Sequence, residues 1–425
     1  MNPFGFVNIS NIPPLGIGTT IFWLFVVGLS TILITDFTFI PLAIIHDRLQ
    51  VLYELKEHPL VTVIVPAYNE ERIIGNLITT LLEQSYDNLE ILIVNDGSTD
   101  HTVDIVRDYM GDPRVQLLDL PKPNTGKASA INAGIALANG EILITMDADG
   151  LVERNAVMRM VAAMQNPAVS AVAGNVKVAN RVNALSRLQA LEYIRDINIP
   201  RRAFDLMDIS IVIPGPLAAF RKRDLQTVGN YDPDTVAEDF DTTIKMHKAK
   251  SGHQSAVRNV TDAICYTEAP ENLRDLIKQR ERWYGGMTQS VVKHSDQKFF
   301  IKSGAYSAVA VPYIYLTLFV IPTLELVMSA LAIVLALLTG FVWYVLAFII
   351  YTALETLTSL LALHLDNEDE GLVAYSPAFV LGYRQLLDII RLYAFYELMR
   401  GRLRWTRADR YGGIQEKGRT ALASR

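Results

Sequence analysis

Between residues 60 and 175, short apolar runs alternate with stretches whose apolar residues recur at helical spacing. LVTVIV (60–65), ILIV (91–94), VQLL (115–118) and EILITM (141–146) are continuous enough to be strands buried on both faces. Glu70 to Gln84, Thr99 to Tyr109 and Lys127 to Ala138 carry the helical pattern between them. The alternation predicts an α/β domain built on an open, mostly parallel sheet with helices on both faces. Ligands of such sheets bind beyond the carboxyl ends of the strands.

Two stretches are apolar throughout. Ile21 to Ile45 exceeds the roughly 20 residues that cross about 30 Å of hydrocarbon, lacks the basic start and small-residue cleavage site of a leader, and reads as a retained anchor. Arg48 and Lys56 follow it and no basic residue precedes it, which puts the next domain in the cytoplasm. Ala305 to Leu363 is long enough for two passes, interrupted at Thr339-Gly340 and kinked by Pro312 and Pro322. Leu372 to Met399 is hydrophobic but carries Arg384, Asp388, Arg391 and Glu397. That pattern fits either a span inside a bundle or an interfacial helix. The expected organisation is an anchor (1–46), a soluble domain (47–290), an interfacial segment (291–304), an all-α transmembrane and interfacial region (305–400) and a basic cytoplasmic tail (401–425).

Charge sharpens this division. The chain has 39 basic and 45 acidic residues, yet residues 1–45 hold only Asp36 and residues 304–363 only Glu325 and Glu355. The net charge of −6 argues against nucleic acid as a partner. Cys265 is the single cysteine, so there is no intramolecular disulfide, and it reads as a small buried hydrophobe.

Polar motifs fall where the strands end. VPAYNEE (65–71) and VNDGSTD (94–100) are each readable as turn chemistry, with Asn69 and then Ser98 or Thr99 as helix caps. ILITMDADG ends an apolar strand with Asp147 and Asp149, which in extended chain point to one side. Two such carboxylates repel unless a cation lies between them, and hard oxygens suit Mg²⁺ or Mn²⁺. EDFD (238–241) alone reads as a solvated acidic patch. In QRERW (279–283), Gln279, Arg282 and Trp283 share a helix face, suited to stacking on a sugar and holding a diphosphate, or to lying on a membrane.

Taken in order, VPAYNEE, VNDGSTD, Gly126-Lys127, DADG, EDFD and QRERW resemble a membrane-embedded, processive family-two glycosyltransferase, the group of poly-N-acetylglucosamine, chitin-oligosaccharide, hyaluronan and cellulose synthases. The resemblance covers residues 60–290 and implies a GT-A-type fold. It implies that Ala67, Tyr68, Glu70, Asp96, Lys127, Asp147 and Ala148 hold a UDP-sugar, and that Asp149 with Asp147 brings a divalent ion to the diphosphate. Asp239, beside Glu238, becomes the base that deprotonates an acceptor hydroxyl, and Gln279, Arg280, Arg282 and Trp283 serve acceptor and diphosphate.

The implied activity is inverting transfer, in the cell membrane, to a growing β-linked polysaccharide, with export and possible accessory subunits. Alternatives are a glycolipid synthase adding one sugar to a membrane lipid, and a non-catalytic scaffold on the same fold. The chain departs from the family pattern at Asn95, at Ala237 and at Pro214-Gly215-Pro216, where a small-residue acceptor loop is usual.

Overall fold

The computed structural model describes residues 37–49, 54–249, 257–295, 305–339 and 341–403. The expected anchor therefore lies outside the described residues apart from 37–46, which are helical, and so does the tail beyond 403.

Eight strands form one sheet in the order β3-β2-β1-β4-β7-β6-β8-β5. The first four in sequence are β1 (Val61–Ala67), β2 (Leu89–Asn95), β3 (Val115–Asp119) and β4 (Ile142–Thr145). They pair in parallel, with Ala67 beside Asn95 and Ile64 beside Thr145, so their carboxyl ends form one mouth. Burial on both faces is nearly complete in β1, β2 and β4, as continuous apolar runs require. The crossover helices are α1 (Ile74–Leu82), α2 (Thr102–Tyr109) and α3 (Lys127–Leu137). One core under the sheet gathers Val63, Ile74, Leu77 and Ile144; the opposite face packs Ile64, Val94 and Leu143 against Ala130 and Ile131 of α3.

Past Thr145 the sheet becomes mixed. Strand β5 (Leu151–Val152) runs antiparallel to β8 (Val257–Thr267), and β7 (Ala218–Arg221) runs antiparallel to both β4 and β6 (Ala171–Val178). Helix α4 (Ala156–Met164) covers β8; α5 (Ala184–Glu192) continues through a π-helical turn, Tyr193–Asn198, into α6 (Ile199–Leu206). Helix α7 (Glu238–Ala249) and the 21-residue α8 (Leu273–Lys293), capped by Asn272 accepting the Asp275 N–H, complete the domain.

From Ala305 to Met399 most of the described residues are helical. Tyr306–Val334 and Phe348–Leu365 are long and apolar enough to cross a membrane. They lie within a run ending in α9 (Ile321–Thr339) and within α10 (Phe341–Leu365); Gly340 of the expected interruption lies outside the described residues. Pro312 and Pro322 each follow a π-helical turn, Tyr306–Ala310 and Leu316–Val320. The wider turn accommodates a ring that cannot donate and would strike the carbonyl four residues back. The last helix, α11 (Arg384–Met399), begins after non-helical backbone at Leu381 and Gly382. It packs on α8 and α9, burying Arg384 and Asp388 and leaving Ile389, Tyr393 and Met399 exposed.

Buried ion pairs fasten the helical region to the sheet. Lys177 Nζ of β6 lies 3.3 Å from Asp366 and 3.0 Å from Glu368, just past α10. Arg202 of α6 reaches Asp366 at 2.7 Å and Asp47 at 3.2 Å. His46 Nε2 sits 3.0 Å from Asp205. Buried pairs fix geometry more than they add stability, because losing either partner strands a charge.

Candidate active site

The loops after β1 and β2 are laced together at the sheet mouth. Asn69 has φ of 57° and does not cap α1; its Oδ1 accepts the Thr99 N–H at 2.7 Å, and its own N–H donates to Ser98 Oγ at 2.9 Å. The capping expectation fails because α1 starts only at Ile74, whereas the left-handed Asn69 turns the chain towards its neighbour. Thr102 opens α2, with Asp100 accepting its N–H at 3.1 Å. Asp96 is buried and accepts from the Thr125 N–H, the Thr125 hydroxyl and the Gly126 N–H, each at 2.8 Å. Gly126, at φ 94°, turns the chain into α3 and delivers Lys127 as its first residue.

Lys127 Nζ lies 2.7 Å from Asp147 Oδ1 and 2.7 Å from Glu238 Oε1. Burial works against its charge, but Asp147, Glu238 and Asp239 together hold the ammonium well above its ordinary range. The three residues of EDFD that carry carboxylates part company. Glu238 goes to Lys127, Asp241 is fully buried against His294 Nε2 at 2.9 Å, and Asp239 Oδ2 accepts the Gly215 N–H at 3.0 Å. Burial, then the neighbouring Glu238, pushes the Asp239 carboxyl up to about 6. All three stand in the first turn of α7, where the helix dipole favours anions.

Gly215 is hemmed in: a Cβ there would lie 2.8 Å from Lys127 Nζ, 3.4 Å from Asp239 Oδ2 and 3.5 Å from Asp147 Oδ2. The Pro214-Gly215-Pro216 loop therefore brings bare backbone into the charged cluster.

Asp147 and Asp149 do not follow the extended geometry expected of them. Strand β4 ends at Thr145, and residues 147–150 turn, the Gly150 N–H donating to the Asp147 carbonyl at 3.1 Å. Asp147 faces Lys127, while Asp149, 5% exposed, lies with its Oδ2 3.4 Å from Thr267 Oγ1 of β8. Among the described residues no three His, Cys, Asp or Glu side chains gather into a cage. Asp147 and Asp149 offer the hard oxygen donors that a Mg²⁺ or Mn²⁺ ion would take. Cys265 is buried, and burial pushes its thiol up, as an inert small hydrophobe requires.

One cavity of about 740 Å³ joins these groups. Ala67, Tyr68, Glu70, Asp96, Lys127, Asp147, Ala148 and Asp149 line it at the sheet mouth, Glu238 and Asp239 beside them, and Gln279, Arg282 and Trp283 from α8. Arg280 is the expected site residue that does not line the cavity. It is completely buried, 2.8 Å from Glu192, with its guanidinium 4.1 Å from the Trp283 ring centre. Glu192 and Trp283 themselves line the cavity, so Arg280 stands behind them and supports the indole. Sequence reasoning missed Glu192, Tyr193 and Arg201, on helices with no motif of their own, and gave Gly215 no role beyond the Pro214-Gly215-Pro216 departure.

The cavity continues past Trp283 between the apolar helices, to Thr317, Ile321 and Thr358.

Residues 62–229 match the family Glycosyl transferase family 2. The chain is 31% identical over 227 residues to the poly-beta-1,6-N-acetyl-D-glucosamine synthase of Staphylococcus epidermidis, and to the same extent to that of Staphylococcus aureus strain COL. These segments are 53% of this chain and 54% of those proteins, so the chain spans about half the length of the curated relatives it matches. The fold is similar to that of the mannosyltransferase PcManGT from Pyrobaculum calidifontis, solved with GDP-Man and Mn²⁺. The match covers 89% of this chain and 100% of that one, with a TM-score of 0.62 at 21% identity.

Proposed function

We propose that the protein is an inverting glycosyltransferase of the cell membrane that moves N-acetylglucosamine from a UDP-sugar to a growing β-linked polysaccharide, its catalytic domain cytoplasmic and export coupled to synthesis. The observation that carries this reading is the single cavity running from the carboxyl ends of β1, β2 and β4, past Asp239 and Trp283, to residues of the apolar helices. The synthase relatives support the choice of sugar and product.

In this reading Ala67, Tyr68, Glu70 and Asp96 border the nucleoside, and Lys127 faces the diphosphate. Asp149 and Asp147 would hold the divalent ion, which offsets the charge of the departing UDP when bound. Asp239 takes the proton of the acceptor hydroxyl as that oxygen bonds to the anomeric carbon and the carbon–diphosphate bond breaks on the opposite face, which inverts the centre. The Gly215 N–H fixes one Asp239 oxygen at 3.0 Å and leaves the carboxylate oriented for that transfer. Trp283 offers a ring face to the acceptor sugar.

The test is product size. Membranes containing the full chain, supplied with labelled UDP-N-acetylglucosamine and Mg²⁺ or Mn²⁺, are expected to yield polymer. An exclusively organic-extractable lipid carrying one sugar would replace this reading with a glycolipid synthase.

A further inference from the structure

Arg201 is the buried cation of this cavity that no acidic side chain balances. It lies on α6 beside Pro200, is 5% exposed, and lines the cavity. Among the described residues no carboxylate comes within ion-pairing distance of it, in contrast to Lys127, Arg195, Arg280, Arg384 and Arg391, all of which are salt-bridged. Its one hydrogen bond is a long one, from Nη2 to the Val212 carbonyl at 3.4 Å. Burial and the adjacent Arg202 push its guanidinium down to about 10, with Asp205, Asp239 and Asp366 acting on it only from a distance. A buried guanidinium left in this state costs free energy unless an anion with hydrogen-bond acceptors completes it.

The position of Arg201 says which substrate supplies that anion. The donor motifs and the Asp147–Asp149 turn stand at the ends of the parallel strands, and Lys127 already serves the diphosphate side. Arg201 is on α6, hydrogen-bonded to Val212 just before the Pro214-Gly215 loop, and Val212 belongs to an apolar cluster with Phe39, Tyr313 and Leu318, which also line the cavity. Asp239 lines the same cavity, within electrostatic reach of Arg201.

We infer that Arg201 binds the phosphate of a lipid-linked acceptor, whose apolar tail follows the helices and whose sugar hydroxyl reaches Asp239. The inference rests on the sugar-transfer reading of the site and names the acceptor class on which the chain starts. A guanidinium suits the task because its planar fork takes two phosphate oxygens at once.

The test measures binding to the full chain in phosphatidylcholine nanodiscs, with hexadecyl phosphate, hexadecanol and inorganic phosphate as probes and UDP affinity read on the same preparations. The wild-type chain is expected to bind hexadecyl phosphate at least about tenfold more tightly than hexadecanol, the usual difference for a charge-assisted contact. Arg201→Gln should abolish that difference and leave UDP affinity unchanged, while Arg201→Lys, which keeps the charge and guards against a folding artefact, should retain part of it. Equal binding of hexadecyl phosphate and hexadecanol would overturn the inference. So would inorganic phosphate binding as tightly as hexadecyl phosphate at the Arg201-dependent site, which would make the ligand a free phosphate. Loss of UDP affinity in Arg201→Gln would move Arg201 to the donor side. Failure of the sugar-transfer reading looks different: wild-type chain that binds hexadecyl phosphate through Arg201 but turns over no UDP-sugar.

Discussion

The two walls of the cavity are built by different means. On the donor wall, parallel strands end in register and each hands its motif to the mouth, so a short stretch of sequence places its own side chains: Ala67 to Glu70 after β1, Asp96 after β2, Asp147 and Asp149 after β4. On the acceptor wall, helices from distant parts of the chain are set by buried pairs such as Arg280–Glu192, Arg195–Glu355 and Arg202–Asp366. In the proposed function, chemistry on the first wall is local and its loss should be a loss of function. Chemistry on the second depends on long-range electrostatics, and its loss is also a loss of fold.

That contrast can be broken by mutation. Asp149→Asn on the donor wall should abolish turnover and leave the melting midpoint nearly unmoved, because the amide keeps the shape and loses the charge that holds a cation. Turnover equal to wild type at saturating Mg²⁺ or Mn²⁺ would contradict the assignment. Arg280→Ala on the acceptor wall should do the reverse in order. It leaves the Glu192 carboxylate buried with only the Tyr383 hydroxyl, 2.6 Å away, and removes the support under Trp283. A stability loss of about 3–5 kcal/mol is expected for such a broken pair, read as a lowered unfolding midpoint, with Arg282→Ala on the cavity face shifting it less.

Gly215→Ala falls between the two. The added methyl meets Lys127 Nζ, which two carboxylates hold in place, so it must disturb the ion cluster around Asp239 rather than slip aside. Transfer should drop by roughly tenfold, within the range by which a small misplacement slows a positioned reaction, while UDP affinity stays within a few-fold. A fully active variant would mean that the loop is not part of the acceptor geometry.

The smallest effect is a pH inflection. A base must be deprotonated to work, and the Asp239 carboxyl stands raised at about 6. Transfer should therefore climb as pH rises through about 6 and level off above it, and Glu238→Gln, which removes the second of the two causes, should move the inflection to lower pH. An inflection unmoved by that change would detach Glu238 from the tuning.

The same contrast governs what could be read from the sequence. Apolar runs located β1, β2 and β4 to within a few residues, because a strand buried on both faces must be apolar throughout. VQLL located β3 as well, but that strand stands at the sheet edge and is not buried on both faces as expected. The polar motifs were legible because they begin where these runs stop. Strands β6 and β8 carry buried polar residues such as Asn175, Lys177 and Asn259, whose partners are as far away as Asp366 and Asp205, so no local pattern announces them. Helical spacing grouped Gln279, Arg282 and Trp283, which line the cavity, whereas Arg280 is taken behind that lining by its buried pairing with Glu192, a partner 88 residues away. Arg201 was invisible because a missing partner marks it, and Gly215 was noticed only as part of Pro214-Gly215-Pro216, its closeness to Lys127 and Asp239 appearing only in the fold. The extended-chain argument for Asp147 and Asp149 failed through a turn that the two acidic residues themselves help to make.

The central claim, that Asp239 is the base between the two walls, is tested most directly by Asp239→Asn with UDP affinity and per-complex transfer rate measured on the same preparation. The account predicts UDP affinity close to wild type and a transfer rate lower by roughly 10² or more, the usual contribution of acid–base catalysis. Lost UDP affinity with an unchanged rate per bound complex would contradict it, and would move Asp239 to the donor wall.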